Sequence, residues 1–304
     1  MDRVEAMSML LEVVDRGSLS AAARSLRVPP PTLSRKISEL EAHLGARLLT
    51  RTTRKLTLTD AGLAYVSAAR SILEQIEELE RQAAGEFTAP KGELVVTAPV
   101  LLGRLHLLPV VAEFLALFPD INIRLLLADR NVHLIDDHVD MAVRVGRLTD
   151  SAMIATRIGS MRTVVCASPS LLDRFGAPQT PEALQRLPCV TVDTPMPAPG
   201  WRFQPEGASA AVEVAIRPRL SVTATEGAVQ AAILGVGFTR LLHYQVAEAV
   251  EAGALRIVLE PFEPEAAPVH LVHGARGQMP LKMRRFLDFA TPRLRQRLER
   301  FAAR

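Results

Sequence analysis

The chain has 304 residues, a length typical of two or three domains, and 48% of them are hydrophobic, which excludes an intrinsically disordered protein. Only 4% are aromatic, too few for the stacking platforms that bind single-stranded nucleic acids. The 36 Lys and Arg residues against 33 Asp and Glu residues leave a net charge of +3, which identifies no partner by itself.

The N-terminus predicts neither a secretory signal nor a membrane anchor. Asp2 and Glu5 are unlike the basic start of a signal, and no run of about 18 apolar residues occurs. The longest apolar stretch, residues 105–118, contains His106 and Glu113 and predicts a helix of a soluble domain. We therefore expect a cytoplasmic protein without a membrane partner.

Charge is unevenly distributed along the chain. Residues 24–55 contain eight Lys and Arg residues against Glu39 and Glu41, a local net charge of +6. An acidic run follows, made of Glu74, Glu77, Glu78, Glu80 and Glu86. A basic block beside an acidic helix indicates a nucleic-acid-binding module, although an unevenly charged, solvated surface has the same composition.

The N-terminal segment predicts three short helices. Apolar residues at helical spacing predict a helix up to Asp15, which Gly17 ends, and Ser18 is placed to cap a second helix over 19–26. Three prolines open a third helix, which runs to about His43. This arrangement is typical of a helix-turn-helix that enters the major groove of DNA, although a generic three-helix unit has the same spacing.

In such a motif, Arg35 can donate two hydrogen bonds to a guanine edge or one to a phosphate, whereas Thr32 and Ser34 can contact phosphate or a thymine methyl. Residues 48–59 alternate β-branched and basic residues and predict a wing whose basic tip, Arg51–Lys55, lies along the minor groove or the backbone. The DNA-contacting candidates are Ser18, Thr32, Ser34, Arg35, Lys36, Arg51, Thr53 and Arg54.

A long amphipathic helix is predicted after the wing, with Thr59 as its cap and Asp60 at its positive end. Its 24 residues, 61–84, would span about 36 Å. A second copy of the chain is the expected partner of its apolar stripe, and docking on the same chain is the alternative. The dimerisation candidates are Leu63, Val66, Ile72, Leu73, Ile76 and Leu79.

These residues resemble the LysR-type transcriptional regulators. The matching segments are VVDRGSLSAAAR at 13–24, LSRKISELE at 33–41, LGARLLTRTTR at 44–54 and LTDAG at 58–62. The resemblance continues more weakly to about residue 290 and implies a multidomain α+β protein. Its implied parts are a winged helix-turn-helix over 1–60, a dimerising linker helix over 61–87 and a two-lobed α/β sensor domain, like the periplasmic binding proteins, over 88–304.

The resemblance also implies how the parts work together. Lobe I would comprise about 92–162 and 267–304, and lobe II about 163–266, with a small-molecule effector between them. Closure of the lobes would alter the geometry of a DNA-binding dimer. The implied partners are double-stranded promoter or operator DNA, the effector, further copies of the chain in a dimer or a dimer of dimers, and RNA polymerase; no cofactor is implied.

The sequence departs from the family pattern at two places. Members usually carry Ser or Thr where Pro29 stands and often a small hydroxyl residue or Ala at Pro31, so base reading would shift to the residues from Thr32 to Lys36. The pattern also often has Ser near Leu101. Because this chain lacks that polar contact, an apolar or aromatic ring is favoured against that wall of the sensor.

From Glu93 onward, strand and helix patterns alternate, which predicts a parallel sheet with helices on both faces. The predicted strands are 94–98, 121–127, 141–145, 220–222, 236–239 and 269–273, and the predicted helices are 101–118, 132–138, 244–251 and those starting near 226 and 281. Ligands of such sheets bind outside the carboxyl ends of the strands.

Two helix starts at strand ends, after Thr97 and after Thr223, favour a carboxylate, and we therefore expect an anionic organic effector. These threonines also fit the simpler role of helix caps. The effector-binding candidates are Thr97, Ala98, Pro99, Val100, Leu101, Thr223, Thr225, Trp201 and Arg240.

The sequence lacks the patterns of known enzyme and metal sites. No dinucleotide fingerprint, P-loop, HExxH or GxSxG motif occurs. His270 and His273 have odd spacing on a predicted strand, point to opposite faces and predict no metal site. Cys166 and Cys189 exclude a disulfide framework and are expected to be small core residues, with a redox switch as the alternative. We expect no catalysis; a solute-binding protein or an α/β enzyme without DNA binding is the alternative to a regulator.

Overall fold

The computed structural model divides the chain into two compact units, Met1–Gly92 and Glu93–Arg304. Each unit has a hydrophobic core of its own, so each fold can be explained from its own residues. The residues that the structure describes are 2–51, 56–83, 90–129, 132, 134, 137, 139–148, 153–193, 200–205, 207, 210–274 and 279–301.

Local capping sets the ends of the first two helices of the N-terminal unit. The Asp2 side chain accepts hydrogen bonds from two N–H groups of the first turn, and Gly17 ends that helix in the left-handed conformation (φ 67°). Ser18 caps the second helix by accepting a hydrogen bond from the Ala21 N–H (3.0 Å). The three helices of this unit's core are α1 (Arg3–Arg16), α2 (Leu19–Leu26) and α3 (Pro30–Leu44).

Helix α3 begins at a proline-rich turn rather than at a polar cap. Pro29 offers no side-chain cap, and Pro30 and Pro31 occupy the first two helical positions, where a missing N–H costs little. Gly45 ends the helix in the left-handed conformation (φ 64°). The buried face that fixes α3 in the core consists of Leu33, Ile37 and Leu40.

An antiparallel wing follows, with β1 (Leu49–Arg51) paired to β2 (Leu56–Leu58). Its predicted tip, residues 52–55, lies outside the described residues. Glu41 on α3 fixes the base of the wing, because its Oε1 accepts hydrogen bonds from the N–H groups of Leu48 (2.8 Å) and Leu49 (3.0 Å).

The long helix α4 (Asp60–Ala83) starts directly after the wing. The Thr59 hydroxyl oxygen accepts a hydrogen bond from the Gly62 N–H (2.9 Å), which caps the helix as predicted. A Cβ at Gly62 would collide with the Leu48 carbonyl oxygen, so only glycine permits this close approach of α4 to the wing.

The C-terminal unit alternates strands and helices and contains strands that the sequence patterns do not predict. In chain order its elements are β3 (Gly92–Ala98), α5 (Val100–Leu102), a π-helical turn (Gly103–Leu107), α6 (Leu108–Leu117), β4 (Ile121–Leu127), β5 (Met141–Val145), β6 (Met153–Met161), β7 (Thr163–Ala167), α7 (Pro169–Phe175), β8 (Cys189–Val192), β9 (Trp201–Phe203), β10 (Val212–Val214), β11 (Pro218–Val222), α8 (Thr225–Ile233), β12 (Phe238–Leu242), α9 (His243–Glu251), β13 (Arg256–Val258), β14 (Ala267–Gly274) and α10 (Leu281–Leu298).

Two five-stranded sheets organise this unit, and we call each sheet with its covering helices a lobe. The first lobe has the strand order β4-β3-β5-β14-β6, and the second lobe has β11-β8-β12-β7-β13. The chain passes from the first sheet to the second at Arg162 and returns through residues 259–266. Two short crossings of this kind allow lobes to rotate relative to each other.

The expectation of purely parallel sheets is wrong, because both sheets are mixed. Parallel pairs join β3 to β5 and β8 to β11 and β12. By contrast, β14 runs antiparallel to β5 and β6, and β7 runs antiparallel to β12 and β13. The strands on either side of the crossings change sheet without an intervening α-helix, whereas a parallel neighbour requires a long crossover connection.

The expected helix over 132–138 is not found at the positions that the structure describes. Val132, Leu134 and Asp137 are in turn or irregular conformation, and the other residues of this segment lie outside the described residues. Val132 and Leu134 are buried in a small cluster with Val95 and Val272. Apolar contacts therefore hold Val132 and Leu134 against the first sheet.

The segment Val100–Leu117 is long and apolar enough to cross a membrane, with a mean hydropathy of 1.8. In the structure it is a helix of the first lobe's core, as the sequence predicts, because Leu102, Leu107 and Phe114 are buried between the sheet and α10. A Cβ at Gly103 would meet the end of the Leu127 side chain, so a larger residue there would require that side chain to move.

Candidate nucleic-acid interface and ligand pocket

The outward face of α3 includes a row of three exposed residues, Pro31, Arg35 and Ser38. Their spacing of four and three residues places them on the side of the helix opposite the buried leucines. The Arg35 side chain is 68% exposed, and its guanidinium lies 3.5 Å from Glu39. Arg35 is therefore exposed to solvent, and its contact with a base edge stays a prediction. Ser38 is a further candidate that spacing from Arg35 alone would have found.

The structure places Lys36 on a flank of α3 rather than beside Arg35. Its ammonium group lies 2.5 Å from the Glu5 carboxylate of α1, and only 21% of its side chain is exposed. Thr32 and Ser34 are half-buried on the flanks of the helix. Of the four residues predicted on this helix, Arg35 is thus the one most open to a DNA groove.

The start of α3 offers little to a phosphate group. Helix N-termini commonly bind anions through exposed N–H groups, but prolines occupy positions 29–31. The Thr32 N–H donates to the Pro29 carbonyl oxygen (3.0 Å). Ser18 has a structural role as the cap of α2, so any DNA contact of its hydroxyl must share that oxygen with the Ala21 N–H.

The predicted wing and dimerisation residues are only partly described. Arg51 ends β1, whereas Thr53 and Arg54 lie outside the described residues. On α4, Leu63 and Ile72 are exposed, and Leu73 and Ile76 are half-buried; nothing is described of the Leu79 side chain. Val66 instead packs in the core of its own unit, so its predicted place in a dimer contact is not supported.

A pocket of about 180 Å³ opens at the carboxyl ends of three neighbouring strands of the first lobe. Thr97 and Ala98 end β3 and Pro99 follows it, and all three line the pocket, as expected for a ligand site of an α/β sheet. Its other lining residues come from the end of β5 and the segment after β4: Ala128, Asp129, Val132, Val143, Arg144 and Val145.

The polar groups of this pocket are engaged in ways that the sequence did not reveal. The buried Thr97 hydroxyl donates to the Leu126 carbonyl oxygen (2.7 Å), so it does not cap the following helix. The Val100 N–H donates instead to Asp129 Oδ1 (3.0 Å). The helix start that was expected to bind a carboxylate ligand therefore holds a carboxylate of the protein.

Arg144 contributes the cation of the pocket. Its guanidinium donates to the Val132 carbonyl oxygen, and burial lowers the pKa of Arg144 below its ordinary value. Asp129 and Arg144 each follow or end a predicted strand, so the rule that ligands bind at strand ends could have identified both. Leu101, by contrast, is buried in the core of the first lobe and does not line the pocket.

The remaining effector candidates belong to the second lobe and do not line this pocket. Thr223 is exposed before α8, and Thr225 opens that helix. Trp201 packs on the second lobe's core from β9. Arg240 donates to the Arg202 carbonyl oxygen (2.9 Å) and lies 5.8 Å from the Phe203 ring, and burial lowers its pKa to about 10.

The two thiols lie on opposite faces of the second sheet. Cys166 pairs with Thr239 and Cys189 with Phe238, and these adjacent residues of β12 point in opposite directions. Burial raises the pKa of each thiol to about 12. A disulfide between them is incompatible with this fold. Among the described residues, no group of His, Cys, Asp and Glu side chains is arranged to hold a metal ion.

Comparison with known families decides what this combination of domains is. Residues 4–63 match the family described as "Bacterial regulatory helix-turn-helix protein, lysR family", and residues 88–295 match "LysR substrate binding domain". The chain belongs to the LysR-type transcriptional regulators. A LysR-type regulator combines a DNA-binding domain with a ligand-binding regulatory domain, so the alternatives of an enzyme or a solute-binding protein are not favoured.

Individual relatives agree with this assignment along almost the whole chain. An HTH-type transcriptional regulator of Xanthomonas campestris pv. campestris is 35% identical over 94% of this chain and 84% of its own length. An HTH-type transcriptional repressor of Pseudomonas aeruginosa is 32% identical over 95% of this chain and 91% of its own. The solved structure of CrgA, a LysR-type transcriptional regulator from Neisseria meningitidis, is 29% identical over 95% of this chain and 98% of its own, with a TM-score of 0.60.

Proposed function

We propose that this LysR-type regulator reads operator DNA chiefly through Arg35 and binds its effector in the pocket of the first lobe. The observation that supports the DNA side is the exposed row Pro31, Arg35 and Ser38 on α3. A guanidinium at this position can donate two hydrogen bonds to a guanine in the major groove. The basic residues Arg51 and Arg54 of the wing would contact the phosphate backbone.

The pocket supports a small effector. A cavity of about 150 Å³ can hold a benzene molecule, so a pocket of about 180 Å³ suits a ligand about the size of one ring. Binding in this pocket, at the carboxyl ends of the strands of the first lobe, would favour one arrangement of the two lobes. Coupling to DNA then requires only that the effector binds one arrangement better than the other.

Assembly is the third part of the proposal. The exposed apolar residues Leu63 and Ile72 on α4 fit contact with a second copy of the chain. We propose a dimer through α4 and a dimer of dimers on promoter DNA in the cytoplasm, where the protein would contact RNA polymerase. In this scheme the residues 1–60 bind DNA, 61–87 dimerise and 88–304 bind the effector.

A DNA titration tests the central claim. Duplexes from the region upstream of the protein's own gene are titrated with the full chain at two salt concentrations. We expect binding that weakens steeply with salt, because phosphate contacts release counterions. Arg35→Ala should reduce the discrimination between specific and random duplexes, whereas Arg54→Ala should weaken binding to both about equally. Binding without salt dependence, or identical behaviour of both variants, would contradict the proposal.

A further inference from the structure

The start of the helix beside the pocket is occupied by a carboxylate. Asp129 Oδ1 accepts a hydrogen bond from the Val100 N–H at the place where an anionic ligand would bind. The Thr97 hydroxyl donates to the Leu126 carbonyl oxygen and has no second proton to donate. Two donors that a bound carboxylate would need are thus used within the protein, and an anion there would lie next to the Asp129 charge.

Asp129 retains an acceptor for a ligand. The residue is exposed at the rim of the pocket, and only Oδ1 is engaged by the helix. Within the part of the chain that the structure describes, no residue donates a hydrogen bond to Oδ2 or forms an ion pair with it. The carboxylate therefore combines a fixed position, held by the helix start, with one oxygen directed to solvent or ligand.

The second lobe contributes a further carboxylate at a helix start. Glu226 is in the first turn of α8, and its side chain has no hydrogen bond or ion pair within the described residues. Burial raises the pKa of the Tyr244 phenol, and the negative charges of Asp129 and Glu226 raise it further.

The positive charge of the pocket lies on a different wall. Arg144 is the cation among the lining residues, and it ends β5, where its guanidinium already donates to the Val132 carbonyl oxygen. The lining also includes the apolar residues Val143 and Val145 on β5 and Val132 in the segment after β4. A ligand at the helix start therefore lies next to the Asp129 carboxylate, whose Oδ1 accepts a hydrogen bond from the Val100 N–H.

We propose that the effector of this pocket carries an ammonium group, which Asp129 Oδ2 receives, on an apolar body about the size of one ring. Its N–H groups would form charge-assisted hydrogen bonds with a carboxylate that the protein already holds in place. The apolar body would occupy the space between the valine walls. This inference rests on the proposed function of the pocket and replaces the anionic effector that the sequence favours.

Three one-ring probes of similar size, benzylammonium, benzyl alcohol and benzoate, test the charge preference. Each is titrated into the full chain, and the shift in melting temperature with concentration gives its dissociation constant. We expect benzylammonium to bind at least about fivefold more tightly than benzoate, because its charge is complementary to Asp129. Benzyl alcohol should lie between them.

Asp129→Asn identifies the group responsible, because the asparagine oxygen can still cap the helix while the charge is lost. In this variant the preference for benzylammonium over benzoate should disappear. Asp120→Asn, at another exposed aspartate outside the pocket, is the matched control and should retain the preference. Tighter binding of benzoate in the parent chain, an unchanged preference in Asp129→Asn, or no shift with any probe would each overturn the proposal.

The same variants separate this inference from the proposed function. Salt-dependent DNA binding in the absence of any probe should be retained by Asp120→Asn, because the residue lies in the C-terminal unit and outside the pocket. Loss of DNA binding in the parent chain would count against the regulator function, whereas a wrong order of probes with intact DNA binding would count only against the ammonium ligand.

Discussion

Two ion pairs show how differently the two units use charge. In the N-terminal unit, Lys36 and Glu5 join α3 to α1 at the surface, with 21% and 44% of their side chains exposed. In the C-terminal unit, Arg162 and Glu263 join the two crossings between the lobes, with 8% and 4% exposed. A surface pair can be exchanged for contacts with water or phosphate, whereas a buried pair must remain intact.

The geometry of the buried pair supports this contrast. Arg162 Nε lies 2.8 Å from Glu263 Oε2, and its second nitrogen lies 2.7 Å from Oε1, so the two groups form a fork with two parallel bonds. Glu260 adds a third contact at 3.2 Å. Glu263 holds the pKa of Arg162 above its ordinary value. The pair ties together the only two crossings between the lobes in the chain path described here.

The largest expected effect is that of Arg162→Met. The substitution leaves Glu263 buried without its partner, and such a loss costs about 3–5 kcal/mol of the free energy of unfolding. Urea denaturation of the parent chain and the variant measures it. The double variant with Glu263→Met should recover a large part of the loss, because no buried charge remains. A loss below about 1 kcal/mol in the single variant would mean that the pair behaves like a surface pair.

The buried histidine of the first lobe gives the next effect. His106 lies 5.2 Å from the Phe301 ring and 5.9 Å from Tyr244, and its Nε2 has no partner within the described residues. Burial lowers the pKa of His106 to about 4, and the charges of Arg300 and Arg297 act in the same direction. Protonation is thus resisted in the folded chain but not in the unfolded chain.

The sign of the pH dependence follows. Above pH 6.5 His106 is neutral in both states and has no effect, and as pH falls towards 4 only the unfolded state binds the proton, so stability decreases. Acidification from pH 6.5 to 5 would therefore lower the free energy of unfolding by about 2 kcal/mol through His106. His106→Gln should reduce the loss of unfolding free energy on acidification by that amount. The same pH dependence in both proteins would assign the effect to other groups.

The contrast between the units also explains what sequence could predict. Local signals were sufficient in the N-terminal unit: Gly17 and Gly45 end helices, and Ser18 and Thr59 cap them, as expected from their own neighbours. The two strands of the predicted wing, which are close in sequence, were likewise found. The helix bounds of this unit required no knowledge of distant contacts.

Non-local contacts account for the failures. The strands β6, β7 and β13 lack clear alternation and exist because distant strands pair with them, which no local pattern reveals. The same holds for the sites: Thr97 was identified from its strand end, but its donation to Leu126 and the occupation of the helix start by Asp129 depend on a neighbouring strand. The contact of Lys36 with Glu5, 31 residues away, is likewise non-local, and the DNA contact of Lys36 stays a prediction.

Glu41 is a partly buried carboxylate of the N-terminal unit, so its burial is intermediate between the surface pair and the buried pair. Its Oε1 accepts hydrogen bonds from two N–H groups at the base of the wing. Glu41→Ala should therefore cost about 1–3 kcal/mol of unfolding free energy, because both donors lose their acceptor. Glu41→Gln keeps an acceptor oxygen and should lose less. Thermal denaturation of both variants checks the order, and equal losses would show that the hydrogen bonds are not responsible.

The smallest expected effect is that of Lys36→Met. An exposed ion pair contributes about 0.2–1 kcal/mol, so the free energy of unfolding should change by no more than that. Because Glu5 already engages its ammonium group, we expect specific DNA affinity to fall less than in Arg35→Ala, which removes a base contact worth about 1–3 kcal/mol. Glu5→Gln frees Lys36 without removing it and should strengthen binding to all duplexes slightly. If Lys36→Met instead abolished discrimination between specific and random duplexes, Lys36 would leave Glu5 when DNA binds and would read a base itself.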